Sequence, residues 1–543
     1  MIGEGRSTDW LELVNRPLSR HGFLKAGAAA GGSLAALLLG ATPGSVFAAP
    51  DALAQLARPS SPRYGGILKC VFETDPVGLD PALSNALSSY RILEHIYTGL
   101  MRYDDNLLPV PDLAESYEMP NNRTYIFHLR KGVLFHDGSP MTSADVKFTY
   151  DRIRSPKTGS PHAWYFSEVD HIDTPDKYTV IFHMKKPFAP LLNALAQGLN
   201  GVQSRAAVEK YGKLEKHLIG TGPFMFKQYI PQTVFKMTRN PHYYEKGLPY
   251  LDGLEIAFQP DEAARTTALR SNSADFVLFV PARDFNSLKG TPNLVLAETQ
   301  GTVWDYLGLN CKRKPFTDKR VRQAIAWALN RDDMVRVVYY GHADPSVCGP
   351  VPAWSWAHCT TPVYSHPDLG RAKKLLAEAG YARGFSMTIS ASPSYPVQIA
   401  EAQVAQAALK PLGINVKIRT LEWGQYIDAV VNKHDFEGAD LGWGSFIDPD
   451  EYLYPEFHSN LFWNFYGYSN PRVDALLEQA RTTIDRNARR PLYLEVQRIV
   501  AEDAPYIFYT NLHDLTGYFS YLKGFKIMRN QSNIYFRKSW LAR

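Results

Sequence analysis

The stretch Leu441–Asp450 reads L-G-W-G-S-F-I-D-P-D and gathers the residue types best able to do chemistry in this chain: the indole of Trp443 and the carboxylates of Asp448 and Asp450. Two neighbouring acids bring glycoside hydrolysis to mind. Pro449 between them instead puts them on a turn, where an Asp before Pro serves as the cap of the next helix. A Trp where an apolar strand meets a loop suits the wall of a ligand pocket, since its ring packs and its N–H can be fixed. No G-x-S-x-G elbow, H-E-x-x-H pair or dinucleotide fingerprint accompanies them. Gly220–Pro223 lacks the Lys-Ser/Thr ending of a phosphate loop and reads as a tight reversal before a strand. The 15 His show no tight ligand spacing, so neither a protein-held metal nor another cofactor is expected. These residues point to binding, with no catalytic residue.

The elements around Trp443 give it a place. Helix Arg371–Ala379 stops at Gly380, and strand Phe385–Ser390 leads through the loop Ala391–Tyr395 to helix Val397–Leu412. Strand Ile414–Thr420, helix Trp423–Asn432 and strand Ala439–Trp443 follow. This βαβαβ order predicts parallel strands with right-handed crossovers. Ligands of such sheets bind beyond the carboxyl ends of the strands. Those ends are Ala391–Tyr395, Leu421–Trp423 and Trp443–Ile447, so Ser394, Tyr395, Trp423, Trp443, Ser445 and Phe446 are candidate ligand contacts.

Upstream, Gly65–Phe72 reads as a buried first strand emptying into the Asp- and Pro-rich loop Thr74–Pro81, where Asp75 is a candidate contact. Tyr125, Phe127 and Leu129 alternate with Ile126, His128 and Arg130, and Tyr178–Met184 repeats the pattern. With a helix over Thr142–Arg154, capped by Ser143, they predict a β-rich subdomain. Leu254–Gln259 reads as a strand and Glu262–Ser271 as a helix. Thr317 is placed to cap a helix with the apolar stripe Val321, Ala324, Ile325, Ala328 and Leu329, and Asn330 caps the next. Trp304, just before the strand at Leu307–Asn310, is a further candidate contact.

The 543 residues are enough for two or three domains with real cores. Hydrophobic residues make up 45% and charged residues 21%, which excludes a disordered chain and a multi-span membrane protein. The net charge of +5 carries no dense basic stripe, so nucleic-acid binding has no support. Ser19–Lys25 precedes the apolar run Ala26–Leu39 and the small residues Val46–Ala49, the pattern of an export signal over residues 1–48. In an oxidising compartment Cys348 and Cys359 would pair across their short loop; two free thiols are the alternative.

A longer series of segments resembles one family. F-H-D-G at Phe135–Gly138, G-T-G-P-F at Gly220–Phe224, R-N-P-H-Y-Y at Arg239–Tyr244 and G-L-P-Y-L-D-G at Gly247–Gly253 come first. L-G-L-N at Leu307–Asn310, the run Pro315–Arg331, A-K-K-L-L-A-E-A-G-Y at Ala372–Tyr381, W-G-S-F-I-D-P-D at Trp443–Asp450 and G-Y-S-N-P-R-V-D-A-L-L at Gly467–Leu477 follow. In this order they resemble the family 5 extracytoplasmic solute-binding proteins of ABC importers, from Tyr64 to Phe536. The heptad Ser19–Lys25 likewise resembles a twin-arginine signal with His21 at the second Arg.

The resemblance implies an α/β, two-lobed periplasmic-binding-protein fold of type II, in the large cluster with an extra β-rich subdomain and a ligand cleft between lobes. Lobe I would span residues 62–306, with the subdomain at about 105–215. Lobe II would span 307–505, and 506–543 would return to lobe I. It further implies a soluble periplasmic monomer that closes on a small solute and delivers it to membrane permease subunits. Dipeptide-binding relatives hold the peptide ammonium with an Asp soon after this Trp and its carboxylate with an Arg after the strand Phe385–Ser390 matches. Here Gly444–Ile447 offers no acid and Ala391–Tyr395 no Arg. A modified peptide or opine-like solute is therefore expected before a plain dipeptide, since an unpaired buried charge costs several kcal/mol. A sugar, an aromatic metabolite or chelated nickel, or a ligand-presenting receptor role, are the alternatives.

Overall fold

Two long antiparallel strands, Leu294–Leu309 and Tyr506–Phe519, organise the protein. The computed structural model describes residues 61–84, 86–444 and 447–543, so the expected export signal lies outside the described residues. Their lobe II halves, Val303–Leu309 and Tyr506–Tyr509, are mostly apolar and aromatic, as strands covered on both faces must be, while the segments between the lobes carry Glu298, Gln300, Asn511 and Asp514. Both belong to one eleven-stranded sheet. At one end, Tyr506–Phe519 pairs with Phe276–Leu278, followed by Ile67–Phe72, Gly253–Phe258, Val234–Arg239 and Phe224–Ile230. At the other end, Leu294–Leu309 pairs with Gly438–Trp443, followed by Ser386–Ala391 and Asn415–Thr420. The result is a two-lobed α/β protein whose lobes share the crossing pair. The pairing slips between Gln300 and Trp304, at the passage from one lobe to the other.

The βαβαβ expectation matches the second lobe. Ser386–Ala391 runs parallel to both Asn415–Thr420 and Gly438–Trp443. Helix Pro396–Leu409 crosses over between them and packs Ala402, Ala405 and Leu409 into the core. The helix expected over Trp423–Asn432 is α-helical only to Tyr426 and widens to a π-helix at Ile427–Asn432.

The alternating segments form a separate four-stranded antiparallel sheet, ordered Ala114–Asn121, Thr124–Leu129, Thr179–Met184, Val169–Asp176. Tyr125, Phe127, Leu129, Val180, Phe182 and Met184 all face its core, under helix Ser143–Arg154. Two caps differ from expectation by one residue. Thr142, not Ser143, caps that helix, because Thr142 and Asp145 form a reciprocal capping box while the Ser143 hydroxyl donates to Asp176 O. Asp318, not Thr317, caps Lys319–Ala328, its carboxylate accepting from Arg320 N at 2.9 Å. Cys348 and Cys359 are joined, their Cα atoms 6.0 Å apart, while Cys70 and Cys311 are free thiols.

The core also holds carboxyl groups with few partners. Glu456 is buried on helix Pro449–Phe457 and accepts from the Tyr506 hydroxyl at 2.8 Å. Burial pushes its carboxyl up to about 8, against the lowering effect of that hydrogen bond. Burial likewise raises Glu94 to about 8. An acid whose pKa is raised by folding stabilises the protein fully below its unfolded pKa of about 4.3. That contribution is lost as the pH rises through the folded value. The melting temperature is therefore expected to fall between about pH 5 and pH 9, and Glu456→Gln should flatten the fall. Melts across that range check this; a variant whose slope equals the parent's refutes it.

Candidate ligand-binding cleft

The strand registers place a cleft. In lobe I, Ile67–Phe72, Gly253–Phe258 and Phe276–Leu278 are parallel, and Leu278 lies opposite Thr516 while Phe276 lies opposite Tyr518. Their carboxyl ends thus point toward lobe II. In lobe II, Trp443 lies opposite Trp304, and Trp304 opposite Asn511, while Gly438 lies opposite Leu309. The carboxyl ends of the three parallel strands there point back toward lobe I. Both ligand edges therefore face each other over the crossing segment around Gln300–Trp304 and Asn511–Thr516.

Aromatic side chains form the lobe II wall. Trp443 is half-buried; its Nε1 donates to the Tyr306 hydroxyl at 3.0 Å and its ring meets Trp463 edge-on at 4.9 Å. Tyr395 is exposed and meets Trp423 edge-on at 4.9 Å, and Trp423 stacks on Tyr426. The Tyr395 phenol is pushed up, first by desolvation and then by the negative charge of Glu73. Ser394 is exposed beside it and donates to Glu422 at 3.5 Å. Ser445 and Phe446 lie outside the described residues.

Two sequence candidates have other duties. Trp304 is fully buried and stacks on Tyr306 and Tyr506, so it is core rather than wall. It sits on a central strand with neighbours on both sides, whereas Trp443 stands at the end of its strand. Asp75 accepts from Gln232 N at 2.7 Å and from the Tyr229 hydroxyl at 3.3 Å. Both oxygens thereby tie the loop to the turn between Phe224–Ile230 and Val234–Arg239.

The lobe I wall is charged, and sequence reading missed it. Glu73 directly follows the first strand; its Oε1 accepts from Arg91 at 2.5 Å. Arg91 lies 4.5 Å over the Phe279 ring and donates to Gln531 Oε1 at 2.8 Å. Gln531 in turn donates to Asp514 Oδ1 at 2.6 Å, on the crossing strand. Glu73 Oε2, Asp514 Oδ2 and Arg91 Nε are buried without a hydrogen-bond partner among the described residues. A Cβ on Gly301 would sit 2.8 Å from Asp514 Oδ2, so glycine is what leaves that oxygen room. Burial raises Asp514 to about 7. Glu73 could have been found by the same strand-end rule that found Trp443; Arg91 and Gln531, 440 positions apart, carry no local signal.

The acids that open the sequence argument are spent on structure. Asp448 caps helix Pro449–Phe457 in a capping box with Glu451. It also accepts from Arg489 at 2.8 and 3.1 Å and from Asn193 at 3.1 Å. Asp450 pairs with buried Arg481 at 3.2 Å. Ile447 is buried in the core of the β-rich subdomain, and Gln197 there donates to Glu451 at 2.6 Å. This stretch therefore binds lobe II to the subdomain.

Comparison with known proteins agrees with this architecture. Residues 109–463 match the family model described as bacterial extracellular solute-binding proteins, family 5 middle. The chain is 30% identical over 464 residues to the glutathione-binding protein GsiB of Pectobacterium atrosepticum, covering 83% of this chain and 89% of GsiB. DppA of Helicobacter pylori, an ABC transporter-associated periplasmic binding protein in complex with peptide STSA, superposes with a TM-score of 0.80 at 30% identity. That alignment covers 89% of this chain and 99% of DppA. AgaA from A. tumefacien R10, in complex with agropinic acid, superposes with a TM-score of 0.79 at 27% identity, covering 88% and 99%.

The role of Asp448 can be tested. Asp448→Ala would leave Arg489 buried and unpaired, at a cost of about 3–5 kcal/mol. Denaturant unfolding should show that loss; a variant as stable as the parent would free Asp448 for another role.

Proposed function

The chain belongs to family 5 of the bacterial extracellular solute-binding proteins, the binding components of ABC transporters, and we propose that it captures a peptide-like or opine-like solute bearing an ammonium group. The observation that carries the reading is Glu73 Oε2, buried at the carboxyl end of the first lobe I strand without a hydrogen-bond partner among the described residues. A cation placed there gains a charge-assisted hydrogen bond where none is otherwise made. Asp514 Oδ2 offers a second acceptor on the floor of the cleft. Against Arg91 these two acids leave the lobe I wall able to balance one positive charge of the solute. Trp443, Tyr395 and Trp423 supply flat surface for the solute's body.

The acid absent from Gly444–Ile447 is thus offset from the opposite lobe, which weighs against an uncharged sugar. Relatives that hold glutathione, a peptide and agropinic acid fall in the same chemical range. On this reading the protein works as a soluble monomer in the periplasm after loss of residues 1–48, closes about the crossing strands and passes its solute to permease subunits without chemical change. Among the described residues, no helix is long and apolar enough to cross a membrane.

Thermal-shift screening against short peptides, glutathione, opines, glycosides and nickel–histidine should give its largest shifts with the amine-bearing compounds. Glu73→Gln should then weaken binding of the best of them by about 2–5 kcal/mol, and Trp443→Ala should weaken it as well. Response to glycosides alone, with Glu73→Gln silent, would overturn the proposal.

A further inference from the structure

Away from the cleft, the outer face of the four-stranded sheet carries a second group of convergent side chains. Val169–Asp176 is an edge strand, and His171 on it lies opposite His183 on the neighbouring strand. Because side chains alternate along a strand, Ile172, Phe182 and Met184 turn inward, while His171, Asp173 and His183 turn outward together. The two imidazole rings stack at 4.2 Å and 9°, and since each lone pair lies in its ring plane, one ring turns about χ2 out of the stack for both to share an ion. Asp173 Oδ2 lies 3.2 Å from His183 Nε2 and 3.6 Å from His171 Nε2. One donor atom from each of the three residues falls within 4.8 Å of the others.

We propose that His171, Asp173 and His183 form a binding site for a divalent transition metal ion of the zinc, nickel or copper type. Donor atoms about 2.0–2.1 Å from a tetrahedral metal lie about 3.3 Å from one another, close to the two spacings from Asp173. The rest of the environment suits a metal. His183 Nε2 is buried, with the Asp173 carboxylate beside it and no hydrogen-bond partner among the described residues. The other ring nitrogen of His171, Nδ1, lies 2.9 Å from Asp170 Oδ2. A proton held there leaves the Nε2 lone pair free to ligate, the arrangement by which a carboxylate orients a metal-bound histidine. Two imidazoles and a carboxylate select these metals over magnesium or calcium, which favour all-oxygen sets. Three protein ligands leave a fourth position for water or a donor from another molecule. The residues are far from any short ligand motif because cross-strand pairing, not sequence spacing, brings them together.

Titration of the untagged full chain, freed of metal with a chelator, with zinc chloride in a calorimeter tests the proposal. One equivalent should bind. His183→Gln and Asp173→Asn should each weaken binding at least about tenfold, and Asp170→Asn by about tenfold. His242→Gln, at an exposed histidine elsewhere, should bind as the parent does. These substitutions lie on an exposed sheet face, and matching melts of metal-free variants and parent establish that the fold is kept. Absence of zinc binding, equal binding by His183→Gln and Asp173→Asn, or equal affinity for magnesium chloride would each overturn it.

Discussion

The structure depends on one backbone ladder, the pairing of Leu294–Leu309 with Tyr506–Phe519. Every backbone N–H and C=O buried in the middle of the protein must find a partner, and two strands passing side by side between lobes supply those partners without a break in either chain. The aromatic stack of Trp304, Tyr306 and Tyr506, with Tyr306 and Tyr506 at 4.2 Å, stiffens the lobe II half. The slip between Gln300 and Trp304 interrupts the ladder where the two ligand edges meet. A bend concentrated there moves one lobe relative to the other and leaves each half-sheet intact, which is the geometry of hinge closure. On the proposed reading the same segment would form the floor of the cleft, so solute contact and bending would involve the same residues.

Buried charge divides the molecule into structural and functional acids. Asp448 and Asp450 each have an arginine, Arg489 and Arg481, and Arg481 further lies 3.7 Å over Tyr454. Those pairs lock helix Pro449–Phe457 and the subdomain together and have no charge left to offer. Glu73 and Asp514 are linked to Arg91, directly and through Gln531, and each keeps one oxygen without a hydrogen-bond partner among the described residues. Counting partners, rather than counting acids, is what separates a cap from a ligand anchor.

The legibility of the sequence follows the same division. Periodic patterns located the strands and helices of both lobes, since the 2.0 and 3.6 periods are local consequences of burial. Caps were displaced by one residue at Thr142 and Asp318, because which neighbouring oxygen reaches the free N–H groups depends on other partners, such as the Asp176 carbonyl that takes Ser143. Trp443 and Trp304 are cross-strand neighbours with different fates, and long-range pairing tells them apart: Trp304 has a strand partner on each side, Trp443 on one. Arg91 with Gln531, and His171 with His183, are brought together by pairing that leaves no mark in local spacing. The export signal and the loop positions Ser445 and Phe446 lie outside the described residues.

On the proposed reading, placing the solute's charge partners on lobe I and the floor, with the aromatic wall on lobe II, would couple closure to the solute's charge. Opening the cleft would hydrate Glu73 Oε2 and Asp514 Oδ2, which are buried in this structure. Closing on nothing strips water from two carboxylates, a penalty of several kcal/mol for each charge left unpaired. Asp514, already raised to about 7, can shed part of that penalty by taking a proton, whereas a cationic solute removes it by direct pairing. An uncharged solute of the same shape could press against Trp443 and Tyr395 equally well and still leave the penalty in place. The differential free energy between open and closed states, not the contact area, would then decide what the protein retains.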